Sequence, residues 1–115
     1  MKRELKIWGQ RWLIRQDSSH AVSYLQVKAG YHCSWHVHHT KYNLFVVLEG
    51  KFRLKIQEMG ETHLITLGPG ESFTIKPGQH HQFIGATDAK VIEEMYVEYD
   101  EGDIFRDREN LGGKL

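Results

Sequence analysis

Hydrophobic and polar residues alternate along most of this chain in short runs with a period of two, and glycines interrupt the runs at close intervals. Phe52-Arg53-Leu54-Lys55-Ile56 shows the pattern most cleanly, with Phe52, Leu54 and Ile56 on one face of a strand. Val22 to Val27, Thr62 to Leu67, Ser72 to Ile75 and Val91 to Tyr99 read as further strands, and Gln82-Phe83-Ile84 as a shorter one. Leu44-Phe45-Val46-Val47-Leu48 is continuously apolar, as in a strand covered on both faces by a second sheet or a partner subunit. Gly30, Gly50, Gly60, Gly68-Pro69-Gly70, Pro77-Gly78 and Gly85 separate the strands. No segment before residue 100 carries a helical stripe. The pattern predicts an all-β antiparallel sandwich or barrel. Residues 100–115 are polar apart from Asp103-Ile104-Phe105-Arg106, and are expected to form a short helical turn or an ordered extension.

A chain of 115 residues is sized for one domain with its own core, here residues 1–115. Fifteen basic residues balance fifteen acidic ones, and no basic run is present, which argues against a nucleic-acid or anionic-membrane partner. The single cysteine, Cys33, cannot form an internal disulfide. There is no apolar run of signal-peptide or membrane-spanning length, so the expected location is cytoplasmic. Eight histidines are the outlier in an otherwise ordinary globular composition.

Their spacing carries the chemistry. His36 and His38 stand two apart, so on a strand both imidazoles leave the same face, and His81 can join them from a distant strand. Three neutral imidazoles converging in this way form a divalent metal site. His39 and His80, each next to one of these residues, are expected to point the opposite way. His20, His32 and His63 default to solvent or loop positions. Cys33 reads as an ordinary small residue, without the positioned base a nucleophile needs. Phe45, Val47, Phe52, Leu54 and Phe83 are the expected interior residues.

The histidines also lie inside longer patterns. Gly30 is followed by five residues, His36-x-His38, four residues, Asn43, six residues and Gly50. Gly70 is followed by five residues, Lys76-Pro77-Gly78, two residues and His81. The two stretches, 30–50 and 70–85, resemble the paired motifs of the cupin superfamily, in spacing throughout. That resemblance implies a jelly-roll β-barrel, or double-stranded β-helix, holding one metal ion on three histidines and a carboxylate. The carboxylate position is Asn43 here, a neutral and weaker fourth ligand through its amide oxygen. Two further departures, Lys76 for a proline and Gly85 for an asparagine, bear less on the chemistry. Zinc, iron, manganese, nickel and copper all accept such a donor set.

Lys6-Ile7-Trp8-Gly9-Gln10-Arg11-Trp12, the segment from His38 to Gly50 and the closing Tyr99 to Arg106 resemble the type II mannose-6-phosphate isomerase-like domain. The same domain ends some mannose-1-phosphate guanylyltransferases. The resemblance implies a sugar or sugar-phosphate aldose–ketose isomerase, in which the metal polarises a carbonyl and a separate base moves the proton. Glu93, Glu94, Tyr42 and Tyr96 are the candidate bases, and the motifs hold no Arg or Lys cluster that would clamp a phosphate. Two other readings stand beside it: a three-histidine non-haem iron dioxygenase, and a non-enzymatic sensor that binds a small polar ligand such as a sugar. The apolar strand at Leu44 to Leu48 suggests a homodimer.

Overall fold

The computed structural model describes all 115 residues and contains strands but no helix. In chain order the strands are β1 (Lys2–Lys6), β2 (Gly9–Gln16), β3 (His20–Val27), β4 (Tyr31–His32), β5 (His36–Val37), β6 (Tyr42–Glu49) and β7 (Phe52–Glu58). They continue as β8 (Glu61–Leu67), β9 (Ser72–Ile75), β10 (His81–Gly85), β11 (Ala89–Tyr96), β12 (Phe105–Arg106) and β13 (Gly113–Lys114). Every pairing is antiparallel.

One sheet has the order β1-β2-β3-β11-β6-β9. In the other, β10 is paired along one edge by β7, with β8 beyond it, and along its other edge by the short β5 and β4. The core lies between the sheets. Leu25, Val27, Phe45, Val47, Ile75 and Val91 from the first sheet meet Phe52, Leu54, Ile56, Leu67 and Phe83 from the second. Period-two alternation puts these residues on the inner faces, and all five expected interior residues are among them. Phe45, Phe52 and Phe83 pack as a mutual trio with ring centroids 5.4 to 6.0 Å apart. This is the sandwich form of a jelly roll, and no helix crosses a membrane.

Gly50 shows why a glycine ends the first motif. It has φ +79°, in the left-handed region, and a Cβ there would sit 2.0 Å from the backbone oxygen of Asp88. The turn from β6 to β7 therefore packs on the approach to β11 as only glycine allows.

Within one chain the second sheet covers β6 on its inner face, and the outer face stays open to the partner subunit that the apolar run also allowed. Asn43, Phe45 and Val47 are buried, whereas Leu44 and Val46 are half-buried and Leu48 is 48% exposed. The outer apolar residues are shielded sideways by neighbouring strands, as Val46 is by Ile92 on β11. The last long strand ends at Tyr96 rather than Tyr99. The tail forms no helical turn: it is an ordered extension whose β12 pairs with β5 and whose β13 pairs with β4. Backbone groups of β5 and β4 were open on that edge, and the tail satisfies them.

Candidate metal centre

His36 lies on β5 and His81 opens β10, directly opposite each other in the antiparallel register. His38 follows two residues after His36 and shares its face. Ring centroids are 4.4 Å apart for His36 and His81, 4.9 Å for His36 and His38, and 5.1 Å for His38 and His81. One ring nitrogen from each lies within 4.8 Å of the others, and all three side chains are buried.

The hydrogen bonds fix which nitrogen is free. Each Nδ1 faces a backbone carbonyl: Ser34 at 2.8 Å from His36, Asp103 at 2.7 Å from His38, and Gln79 at 2.9 Å from His81. A carbonyl only accepts, so each Nδ1 carries the hydrogen and donates it, and each Nε2 keeps a lone pair. Nε2 of His38 and of His81 are buried without any partner. Burial pushes all three rings toward the neutral form, and for His36 and His38 the neighbouring imidazoles add to it. The pKa falls to about 2 at His36, about 3 at His38 and about 4 at His81. Buried, neutral, lone-pair nitrogens with no hydrogen-bond donor facing them are what a divalent cation requires of histidine. The residues present fit the metal their spacing implied.

Asn43 stands on β6, in register with Met95 of β11. Its Nδ2 donates to Glu93 Oε2 at 2.8 Å, and its Oδ1 is buried with no partner. Because a carboxylate only accepts, Glu93 sets the amide's orientation and leaves the oxygen free. Burial raises the Glu93 pKa, while Arg11, Lys41 and the Asn43 hydrogen bond oppose the rise. An unpartnered Oδ1 is consistent with a fourth ligand, although the three-histidine cluster is complete without it.

Asp103 holds the loop between His38 and Asn43 in place. Its carboxylate accepts from the amides of His39 at 2.7 Å and Thr40 at 3.0 Å and from the Thr40 hydroxyl at 2.7 Å, and its own carbonyl takes the His38 ring. Burial works against this charge, but those donors outweigh it and hold the carboxyl at about 2. The tail thus completes the site.

A cavity of about 470 Å³ opens beside the cluster, lined among others by His36, His38, Trp8, Phe83 and Glu93. Of the candidate bases only Glu93 lines it. Glu94 faces out and pairs with His20 at 2.7 Å, and Tyr42 and Tyr96 stack on each other. His39 is exposed against Phe105, and His80 stacks on Trp35, so neither joins the cluster. His63 is exposed on β8, and His32 is half-buried on β4, where Gln82 meets it. Cys33 is buried, accepts from the Phe83 amide at 3.1 Å, and has its thiol pKa pushed up by burial.

Arg11 and Lys41 also line the cavity, and motif spacing gives no sign of either. Alternation could have found them. Lys41 has the parity of Asn43, Phe45 and Val47, and Arg11 is in register with the inward-facing Leu25.

A family profile described as Cupin domain matches residues 23–95. No curated protein matches the sequence. Among solved structures, the chain resembles the capsular polysaccharide assembling protein CapF from Staphylococcus aureus, with TM-score 0.78 and 23% identity over 91% of this chain and 33% of that one. Oxalate decarboxylase from Bacillus subtilis gives TM-score 0.77 and 17% identity, over 91% of this chain and 29% of that one. KdgF from Halomonas sp. gives TM-score 0.73 and 18% identity, over 88% and 90%. The chain spans about a third of the first two, and likeness at these identities concerns the fold.

Proposed function

This chain belongs to the cupin domain family, and we propose that it is a metal-dependent member acting on a small polar molecule. His36, His38 and His81 would hold one divalent ion through Nε2, with Asn43 Oδ1 as the fourth protein ligand. The observation that carries this is the set of three outward-anchored Nδ1 groups, which leaves inward lone pairs without partners. A bound ion would supply Lewis acidity toward an oxygen of the ligand. The chain's own part is to keep the imidazoles neutral, to orient the Asn43 amide through Glu93, and to enclose the ligand between the sheets.

The finer reading is an aldose–ketose isomerase of the sugar or sugar-phosphate type. It is supported by the flanking motifs, by a cavity large enough for a hexose derivative, and by Glu93 as the one candidate base within that cavity. The incompletely covered outer face of β6 supports a homodimer, which sedimentation of the purified protein would test.

Metal analysis of the purified protein, beside a variant carrying His36→Ala and His38→Ala, is the deciding experiment. Near-stoichiometric metal that disappears in the variant supports the site. Absence of metal after reconstitution with zinc, manganese and iron overturns it. Conversion of mannose 6-phosphate to a ketose by the loaded protein then tests the isomerase; oxygen uptake with iron bound would replace it by a dioxygenase.

A further inference from the structure

Lys41 is the most deeply buried cation in the chain, only 5% exposed. It has no salt bridge, although the chain forms five others. Its side chain makes no hydrogen bond either, and its Nζ lies 5.2 Å from the centre of the Tyr99 ring. The cost of burying an ammonium ion in this way is high unless an anion meets it.

Arg11, which lines the same cavity, repeats the pattern. Its Nε donates to Ser23 Oγ at 3.0 Å, which fixes the guanidinium plane. Its Nη2 is buried without a well-formed hydrogen bond, with Glu93 and Tyr99 as its nearest favourable neighbours. Lys41 reaches the cavity from the loop before β6, and Arg11 from β2. Of the three carboxylates that line the cavity, Glu4 pairs with Lys6 at 3.0 Å, Glu93 takes the Asn43 amide, and Glu101 forms no ion pair with either cation. Five cationic side chains against three carboxylates line the cavity, so its walls carry an excess of positive charge in a chain that is neutral as a whole.

We propose that Lys41 and Arg11 form an oxyanion subsite in this cavity, which takes a carboxylate or phosphate group of the ligand. Planar guanidinium and point-charge ammonium together suit either group, and each would gain the acceptor it lacks. The proposal rests on the cavity being the ligand site of the proposed metal-dependent function, and it makes the ligand an organic acid or a phosphate ester rather than a neutral sugar.

Backbone amide NMR of the metal-free wild-type protein, titrated at constant ionic strength with inorganic phosphate, malonate or chloride, tests this without any variant. Phosphate or malonate should shift the amides of residues 11, 41, 93 and 99 at concentrations where chloride does not. The stronger of the two identifies the group. Lys41→Met and Arg11→Met should each weaken that binding at least tenfold, while Lys51→Met, on the exposed β6–β7 turn, leaves it unchanged. Metal uptake is measured separately, on the same preparation after reconstitution with zinc, manganese or iron. Metal bound with no anion response at these residues overturns this subsite alone. Anion response with no metal overturns the metal reading and leaves the subsite standing. Shifts confined to other surfaces, or equal responses to chloride, also overturn the subsite.

Discussion

The departure at position 43 can be tested by reversing it. Asn43→Asp puts a carboxylate where the amide now donates to Glu93 at 2.8 Å. Two unit charges at that separation repel by about 6 kcal/mol at an effective dielectric of about 20. A folded protein does not carry that full cost, because the pair takes up a proton instead. That uptake limits the deficit at neutral pH to about 3 to 4 kcal/mol, the cost of holding a proton that the unfolded chain releases. Lys41 and Arg11 offset part of it, so the metal-free variant should be less stable than wild type by about 2 to 4 kcal/mol at pH 7.5.

The sign follows from where the proton sits. The folded variant has the raised pKa, so it binds a proton that the unfolded chain releases. The deficit is therefore largest above pH 7 and shrinks as the pH falls toward 4, where both states are protonated. Urea unfolding monitored by tryptophan fluorescence, at pH 5 and pH 7.5 in the presence of a chelator, measures both values. Saturating zinc or manganese should then recover more stability in the variant than in wild type, because a carboxylate beside three neutral imidazoles is the stronger ligand. A metal-free variant as stable as wild type at pH 7.5, with no pH dependence of the difference, would refute the reasoning. It would mean that the position 43 side chain does not face Glu93 in solution.

Phe52→Ala removes a ring that is fully buried against Phe45 and Phe83, and should cost about 3 to 5 kcal/mol in urea unfolding, with an unchanged metal stoichiometry at low temperature. Gly50→Ala combines a left-handed φ with a Cβ 2.0 Å from a backbone oxygen, so it should lose at least about 2 kcal/mol; a loss below about 0.5 kcal/mol would contradict the turn geometry. Cys33 should resist thiol reagents in the native protein and react at once in denaturant, because burial keeps it as the thiol; rapid labelling under native conditions would count against its enclosed position.

Several features were fixed by local physics and could be read from residue order alone. Period-two alternation depends only on the pleat of a strand, so Phe52, Leu54 and Ile56 declared their inner face, and the i, i+2 spacing declared a shared face for His36 and His38. Glycine punctuation set the turns because only glycine occupies such a backbone cheaply, as at Gly50. The matched spacing of the two motifs pointed to the cupin family, which the domain profile over residues 23–95 bears out.

What needed the folded chain was every relation between distant segments. Nothing in the order of residues says that the Asp103 carbonyl, 65 positions from His38, anchors its ring, or that the tail closes the edge left by β5 and β4. Asn43 and Glu93 lie 50 positions apart, and only the pairing of β6 with β11 lets one orient the other. Arg11 and Lys41 lie on separate segments, and only the fold brings them to one cavity. Alternation decides which face a side chain takes, a local property of the backbone. Which face meets which is settled by the register of strands far apart in sequence, and that register also gathers the buried charges into a site.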